Sequence, residues 1–402
     1  MNSVGIDVSK GKSMVAAIQP FGVIVISPFE VAHIDSELSN LAKKLRDLPG
    51  ETKVIMECTS IYYLPVAHAL RNAGLTVCAV HAQLVHGFGN NTIRKTKTDK
   101  ADALKIANYG LSNWLDLPEF VPNSDIRYLL KSFSRQYNKY NKLKTTLKNN
   151  LISLLDQTFP NVNNFFACHS RKSDGHEKWV DFVDCFWHCE CVTSLSKKAF
   201  ATAYRKWCIR KGYRFSSPKV ETIYMQSFDL ISVMPMNDSV KTLIRQAVTQ
   251  ICAVSETLAS LSSEMNRLAV SLSEYPVVIE FCGVGELLCP QLIAEIGDIY
   301  RFPKKSSLVR FAGLEPVEHK SGIFCGKERI SKQGPPHLRK TLFQVMDCLL
   351  KHSPSVDPVF QFLNRKRAEG KNYFSYMTAG SAKFLRIYYA RVKQFLELNK
   401  AI

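Results

Sequence analysis

Apolar and polar positions repeat with two different periods along this 402-residue chain. Near its start the period is short. Residues 3–8 (Ser-Val-Gly-Ile-Asp-Val), 13–18 and 22–27 are β-rich runs, split by Ser9-Lys10-Gly11-Lys12 and by Pro20-Phe21-Gly22. That pattern predicts a three-stranded meander. The period then lengthens: Leu38, Leu41, Ala42 and Leu45 predict a helix over 36–48. Val54-Ile55-Met56 reads as a buried strand that delivers Glu57 at its end. Tyr62 to Ala73 reads as a helix stopped by Gly74, and Thr76 to Val80 as another strand. A meander followed by alternating strands and helices predicts an α/β domain over 1–120.

Downstream the spacing is heptad-like. Apolar or aromatic side chains fall at 126, 130, 133, 137, 140, 147, 151 and 154, interrupted by Lys144, which predicts a long helix over 124–157. A second, unbroken repeat runs through Ile244, Ala247, Ile251, Val254, Leu258, Leu261, Met265, Leu268 and Leu272, within 238–274. Two such helices around one insertion should pair, within a chain or between subunits. The reading is a coiled-coil arm over 121–275 with the inserted segment 158–237 at its far end, helical from about Ser194 to Lys211. Pro276 marks the next boundary, followed by a strand-like Val277-Val278-Ile279 and a helical run from Leu287 to Ile296. Between them Gly283-Val284-Gly285 resembles the turn of a helix-hairpin-helix, whose bare backbone admits a phosphate. The plainer reading is a tight turn. Residues 276–402 then form a mainly helical third domain, with a helix from Leu338 to Leu350.

Charge adds a partner. The net charge is +18, and a surplus of that size points to a polyanion, most often nucleic acid. The bland alternative is a merely soluble basic protein. No basic segment followed by an apolar one opens the chain, and no apolar run has the length of a membrane span, so no membrane partner is expected. Twelve scattered cysteines fit reduced thiols in a cytoplasm. Cys168, His169, His176, Cys185, His188, Cys189 and Cys191 are zinc-ligand types. Without paired C-x-x-C spacing, buried free thiols are the better reading.

Candidate chemistry centres on Lys97-Thr98-Asp99-Lys100-Ala101-Asp102-Ala103. Asp99 and Asp102 stand three residues apart at the start of a helical run, on one face. Alone, the pair reads equally as a solvated helix N-terminus. With Asp7 and Glu57 at strand ends, it supplies four clustered oxygen ligands for a hard divalent cation, Mg²⁺ or Mn²⁺. A second centre lies in the basic loop. Residues 301–340 carry ten Lys/Arg against three Glu, a net +7. Ser321, among Gly322, Gly326 and Gly334, is a candidate phosphoryl acceptor, with Ser331 the second choice. The plainer role is a hydroxyl that only binds phosphate. Lys320, Lys327, Arg329 and Lys332, with Gly283 and Gly285, are candidate nucleic-acid contacts. Arg365, Lys366, Arg367, Lys371 and Lys383, near Tyr373, Phe374 and Tyr376, extend a basic-aromatic surface.

The four acids resemble those of the ribonuclease-H-like (RuvC-like) fold of Holliday-junction resolvases. Gly5-Ile6-Asp7-Val8-Ser9-Lys10-Gly11-Lys12 alone also fits a phosphate hairpin of actin-like sugar kinases, but no second Gly-rich loop follows at the expected place. Taken together, Gly5 to Lys10, Met56-Glu57, Thr98-Asp99-Lys100-Ala101-Asp102-Ala103, Gly283-Val284-Gly285, Phe311-Ala312-Gly313-Leu314, Lys320-Ser321-Gly322 and Arg329-Ile330-Ser331-Lys332 resemble DEDD-type insertion-sequence transposases. These are the one-ten family, related to the Piv/MooV invertases. The resemblance implies that Asp7, Glu57, Asp99 and Asp102 hold Mg²⁺. It implies that Ser321 attacks DNA to form a covalent phosphoserine during strand cleavage and rejoining. It also implies DNA partners (element ends and target), a homo-oligomer (dimer or tetramer), nucleoid-associated action in a bacterial or archaeal cytoplasm and, in some members, a structured guide (bridge) RNA. The middle segment is longer than in compact members, and Cys282 replaces the Pro common before the hairpin glycine. The long arm leaves room for a site shared between subunits. Two rivals stand beside this reading: a resolvase-like nuclease using metal-activated water, and a non-enzymatic DNA- or RNA-binding protein.

Overall fold

A computed structural model of the chain describes residues 1–58, 61–88, 98–121, 125–166, 170–171, 173–317, 320–321, 324–325 and 329–400. It divides into two compact units, Met1–Pro122 and Asn123–Ile402.

In the first unit β1 (Asn2–Val8), β2 (Lys12–Gln19), β3 (Val23–Ala32), β4 (Thr52–Glu57) and β5 (Thr76–Val80) form one sheet in the order β3-β2-β1-β4-β5. The predicted meander is antiparallel, and β4 and β5 run parallel to β1. Successive strand residues face opposite sides of a sheet. Val4, Ile6, Val54 and Met56 therefore share a core with Leu41 and Leu45 of α1 (Asp35–Arg46) and Val66 and Leu70 of α2 (Tyr63–Asn72). Ser3, Gly5 and Asp7 take the opposite face, as do Ile55 and Glu57. That face is covered by α3 (Ala82–Phe88) and α4 (Asp99–Ser112), where Ile55, Cys78, Val80, Val85 and Ile106 pack. The sequence pattern did not predict α3.

The second unit is built on α5 (Asp125–Leu155) and α10 (Asp238–Val270), which pack along each other. Around one end of the pair gather α6 (Lys178–Val183), α7 (Glu190–Thr193), α8 (Lys197–Lys211) and α9 (Ser217–Phe228). Their core is aromatic: Trp179, Phe182, Phe200, Tyr204 and Trp207 meet Leu151, Leu155, Ile244 and Ile251 of the long helices. Around the other end lie α11 (Tyr275–Ile279), α12 (Leu288–Ile296), α13 (Lys305–Phe311), α14 (Pro336–His352), α15 (Pro358–Ala368) and α16 (Tyr373–Lys400). There Leu130, Met265 and Leu268 join Leu292, Ile293, Leu342, Val345 and Tyr388. The segment between the two long helices thus gathers at one end of the pair.

Two readings need amending. Val277-Val278-Ile279 is helical, not strand-like. Pro276 occupies the first turn of α11, where its fixed φ and missing N–H are tolerated, and Val277 and Val278 are buried in the helical core. Lys144, which breaks the first heptad, is itself buried: its Nζ donates to the Gly175 carbonyl at 3.0 Å and lies 3.3 Å from Glu177 Oε1. A buried charge is tolerated when paired in this way. Cys168 and His169 lie outside the described residues. Cys185, Cys189 and Cys191 are free thiols. His176 is the sole zinc-type candidate of that segment with two other ligand types near it, Asp181 and Cys252, among the described residues. Asp181 is already held there by the Tyr213 hydroxyl at 2.6 Å, with Lys211 at 3.5 Å and Arg171 at 3.7 Å.

Candidate active site

The acids are brought together by two glycines. A Cβ on Gly5 would lie 2.1 Å from the Ala103 carbonyl and 2.4 Å from the Ala107 nitrogen. One on Gly110 would lie 2.4 Å from Ser3 Oγ and 2.6 Å from an Ile55 methyl. With no Cβ at either point, α4 rests directly on β1 and β4, fixed by the Ser3 hydroxyl donating to the Ala107 carbonyl at 2.7 Å. The helix crosses with its N-terminus over the strand ends. Thr98 caps that end, its hydroxyl accepting from the Ala101 N–H at 3.2 Å.

The sheet register does the rest. Ile6 pairs with Met56, so the next residues along these parallel strands, Asp7 and Glu57, are neighbours on the α4 face. Glu57 registers the crowding. Burial first, then the charges of Asp7 and Asp102, push its carboxyl above the ordinary range, opposed by Lys105 and His86. Asp99 lies on the β2 side, where it adds a small push to Lys12, whose main partner is Glu30. No three of the four acids bring oxygens within 4.8 Å of one another, as four like charges would resist doing. The donor set is all carboxylate and its field is under-compensated, which fits a hard divalent cation.

His86 and Lys105 were not singled out in the sequence. Lys105 follows Asp102 by three residues on one helix face, a signal that was available. His86 had none, because α3 was not predicted. Phe88 of α3 meets Tyr109 of α4 edge-on, with centroids 5.6 Å apart, and this contact sets α3 beside the acids.

The serine loop belongs to the second unit. β6 (Pro316–Val317) pairs with β9 (Arg329–Ile330), and β7 (Lys320–Ser321) pairs with β8 (Phe324–Cys325), Ser321 opposite Phe324. Lys327 lies outside the described residues. The foot of the loop is tight: a Cβ on Gly334 would lie 2.1 Å from the Phe311 carbonyl, and one on Gly313 2.8 Å from Lys332. Lys332 adopts φ +52°, its N–H donating to the Gly313 carbonyl at 3.1 Å. Ser331 accepts from the Gln333 N–H at 3.4 Å, a turn-anchoring contact. Gly283, at φ +78°, faces α14: a Cβ there would lie 2.9 Å from the Val345 carbonyl, whereas Gly285 is open.

Two transposase family models match these two regions. Residues 4–160 match a model described as a transposase, of the DEDD type, and residues 276–361 match "Transposase IS116/IS110/IS902 family". The chain belongs to the IS110 family of transposases. Among its relatives is a "Pilin gene-inverting protein" of Moraxella bovis, 25% identical over 351 residues, 87% of this chain and 82% of the relative. An insertion element IS110 protein of Streptomyces coelicolor is 22% identical over 92% of this chain and 88% of its own length. The "Transposase for insertion sequence element IS1111A" of Coxiella burnetii is 30% identical over 28% of this chain and 31% of its own. A solved RuvC of T. thermophilus with Holliday junction substrate aligns with 30% of this chain and 99% of its own, at 14% identity and a TM-score of 0.23. Membership of the IS110 family makes DNA recombination the activity class. It also makes DNA the substrate and a divalent metal the usual requirement of the DEDD domain. No described helix is long and apolar enough to cross a membrane.

Proposed function

We propose that the chain is a transposase/recombinase that cuts and rejoins DNA with Asp7, Glu57, Asp99 and Asp102 around Mg²⁺ or Mn²⁺ and with Ser321 as nucleophile. The observation that carries this reading is the convergence of Asp7, Glu57 and Asp102 from β1, β4 and α4 at the ends of the central strands, felt as the raised carboxyl of Glu57. The strand order β3-β2-β1-β4-β5, with the acids at the ends of β1 and β4, supports a ribonuclease-H-like (RuvC-like) first domain. The packed pair α5 and α10 supports the coiled-coil arm, and α11–turn–α12 the helix-hairpin-helix element.

A bound divalent ion would offset phosphate charge and stabilise the leaving oxygen. The carboxylates hold that charge balance in place. The Ser321 hydroxyl attacks phosphorus, forming a serine–phosphate ester as one DNA oxygen leaves as a hydroxyl. Attack by another DNA hydroxyl reverses the step and returns the serine. One ester bond is made for each broken, so no nucleotide triphosphate is consumed. Lys320, Lys327, Arg329 and Lys332 supply the positive field around the phosphate, with Gly283 and Gly285 as further backbone contacts. The partners in this reading are element ends and target DNA, a guide (bridge) RNA and further copies of the chain, acting in the cytoplasm.

Asp102→Asn tests the acid site. It removes one charge at near-constant shape, so folding and DNA binding should persist while Mg²⁺-dependent strand cleavage is lost. Wild-type cleavage by this variant in the presence of a chelator would reject the site.

A further inference from the structure

Besides the serine loop, a second cationic centre lies within the second unit. Glu295 of α12 is 1% exposed. Its Oε1 accepts from Arg135 Nε of α5 at 3.4 Å, and its Oε2 has no partner among the described residues. Lys131, one turn before Arg135, and Arg301, just past α12, sit close enough to feel Glu295, as does His337 in the first turn of α14. Lys340, one turn further along α14, donates to Asn138 Oδ1 of α5 at 2.6 Å. Lys131, Arg135, Arg301 and Lys340 thus gather from α5, the end of α12 and α14 near Glu295 and Asp298, and Arg127, also near Arg301, has its own partner in Glu274.

The excess is costly. Burial lowers Lys131 and Arg301 below their ordinary values, and partial desolvation does the same to the more exposed Lys340. Lys131 makes no hydrogen bond or ion pair among the described residues. Arg301 instead lies over the rings of Phe302 and Phe311, at 4.7 and 4.3 Å. Cations gathered in a partly desolvated place are normally matched by acids. Here the match is incomplete, and α14 opens with Pro335-Pro336 and no side-chain cap, so its positive end adds to the same field. The missing partner has the character of an anion with several oxygens. Gly334 leads directly into α14, and the Arg339 guanidinium ties this foot of the serine loop down through the Ala312 and Gly334 carbonyls, at 3.1 and 2.9 Å.

We propose that Lys131, Arg135, Arg301 and Lys340 form a phosphate seat that grips the backbone of a nucleic-acid strand at the foot of the serine loop. The proposal rests on the reading of the chain as a DNA recombinase and adds a binding site to it. Glu295 is its positioning residue, holding Arg135 in place from below.

The test uses the full chain and a salt titration of binding, by fluorescence anisotropy, to labelled duplex DNA and, separately, to labelled single-stranded RNA. Lys340→Gln should weaken binding and make the log–log salt dependence shallower by about 1, and the double variant with Lys131→Gln by about 2. Lys340→Arg should restore the wild-type slope. Loss on one polymer alone identifies the strand held, and loss on both indicates a seat for either. Unchanged affinity and slope on both polymers would overturn the proposal. Lys340 is exposed, so its single variant decides the matter even if Lys131→Gln does not fold. The titration is run without divalent metal, so it reads the seat independently of the acid site, whose Mg²⁺-dependent cleavage is measured separately.

Discussion

Glu57 shows at residue scale what the site costs. Its raised carboxyl means that the fold disfavours the ionised form. The sign follows: stability is highest below the ordinary carboxylate range and falls as pH rises through the raised value of Glu57. Without divalent metal, Glu57→Gln should therefore raise Tm at neutral pH, by roughly 1–3 °C, and flatten that part of the pH profile. The effect is small because the carboxyl is only half-buried and partly screened. Added Mg²⁺ should stabilise the wild type more than this variant. A scanning-fluorimetry result in which Glu57→Gln melts lower at neutral pH would show that Glu57 is held by favourable contacts instead. Lys144 is the opposite case. Burial works against Glu177, but hydrogen bonds from Lys148 and Trp179 and the charges of Lys148 and Lys144 outweigh it and hold its carboxyl below the ordinary range. Lys144→Ala leaves Glu177 with Lys148 and the Trp179 indole N–H, and should cost roughly 1–3 kcal/mol in urea denaturation. Because the Glu177 carboxyl is depressed, the stability it contributes is present at neutral pH and lost as pH falls through the low carboxylate range.

At the scale of elements, α4 is the part that makes the site. Gly5→Ala would force α4 off β1, because the new methyl group meets backbone that has no free side chain to swing away. A loss of about 2–3 kcal/mol is expected, together with loss of cleavage, read by thermal melting and a nicking assay. Gly87→Ala is the control: nothing lies within 4 Å of its Cβ position, and it should leave both unchanged. The strands and most helices of the first unit were legible because their periods are clean and Gly or Pro punctuates them. Asp7 and Glu57 could be placed at strand ends from sequence, yet their adjacency depends on the β1–β4 register, which no local pattern encodes. The segment of α3 is only seven residues long, too short for a clear period, and it went unread, taking His86 with it. Val277-Val278-Ile279 misled because three β-branched residues look like a strand, while Pro276 and tertiary burial decide for helix. Lys144 could be seen as a break in the heptad, but its partner lies 33 residues away in the insertion.

For the whole molecule, the charge of +18 makes the broadest prediction. Nucleic-acid affinity should fall steeply with salt, as counterions released by many phosphate contacts are recaptured. A flat log–log slope would remove the argument from charge. Association of copies is a separate matter. Leu258 and Met265 are buried within the second unit, so this part of the second heptad is covered inside one chain. Light scattering of the protein free and bound to DNA should nevertheless show more than one copy if the chain acts as an oligomer, and a monomer in both states would contradict that.

The central claim joins the acids to a serine nucleophile, and one denaturing gel tests it directly. End-labelled substrate DNA is incubated with Mg²⁺ and either wild type, Ser321→Ala or Ser331→Ala. The account predicts a protein-sized shift of the label for wild type and Ser331→Ala, and none for Ser321→Ala, which still folds and binds. A shift that survives in Ser321→Ala, or wild-type cleavage without any adduct, would contradict it.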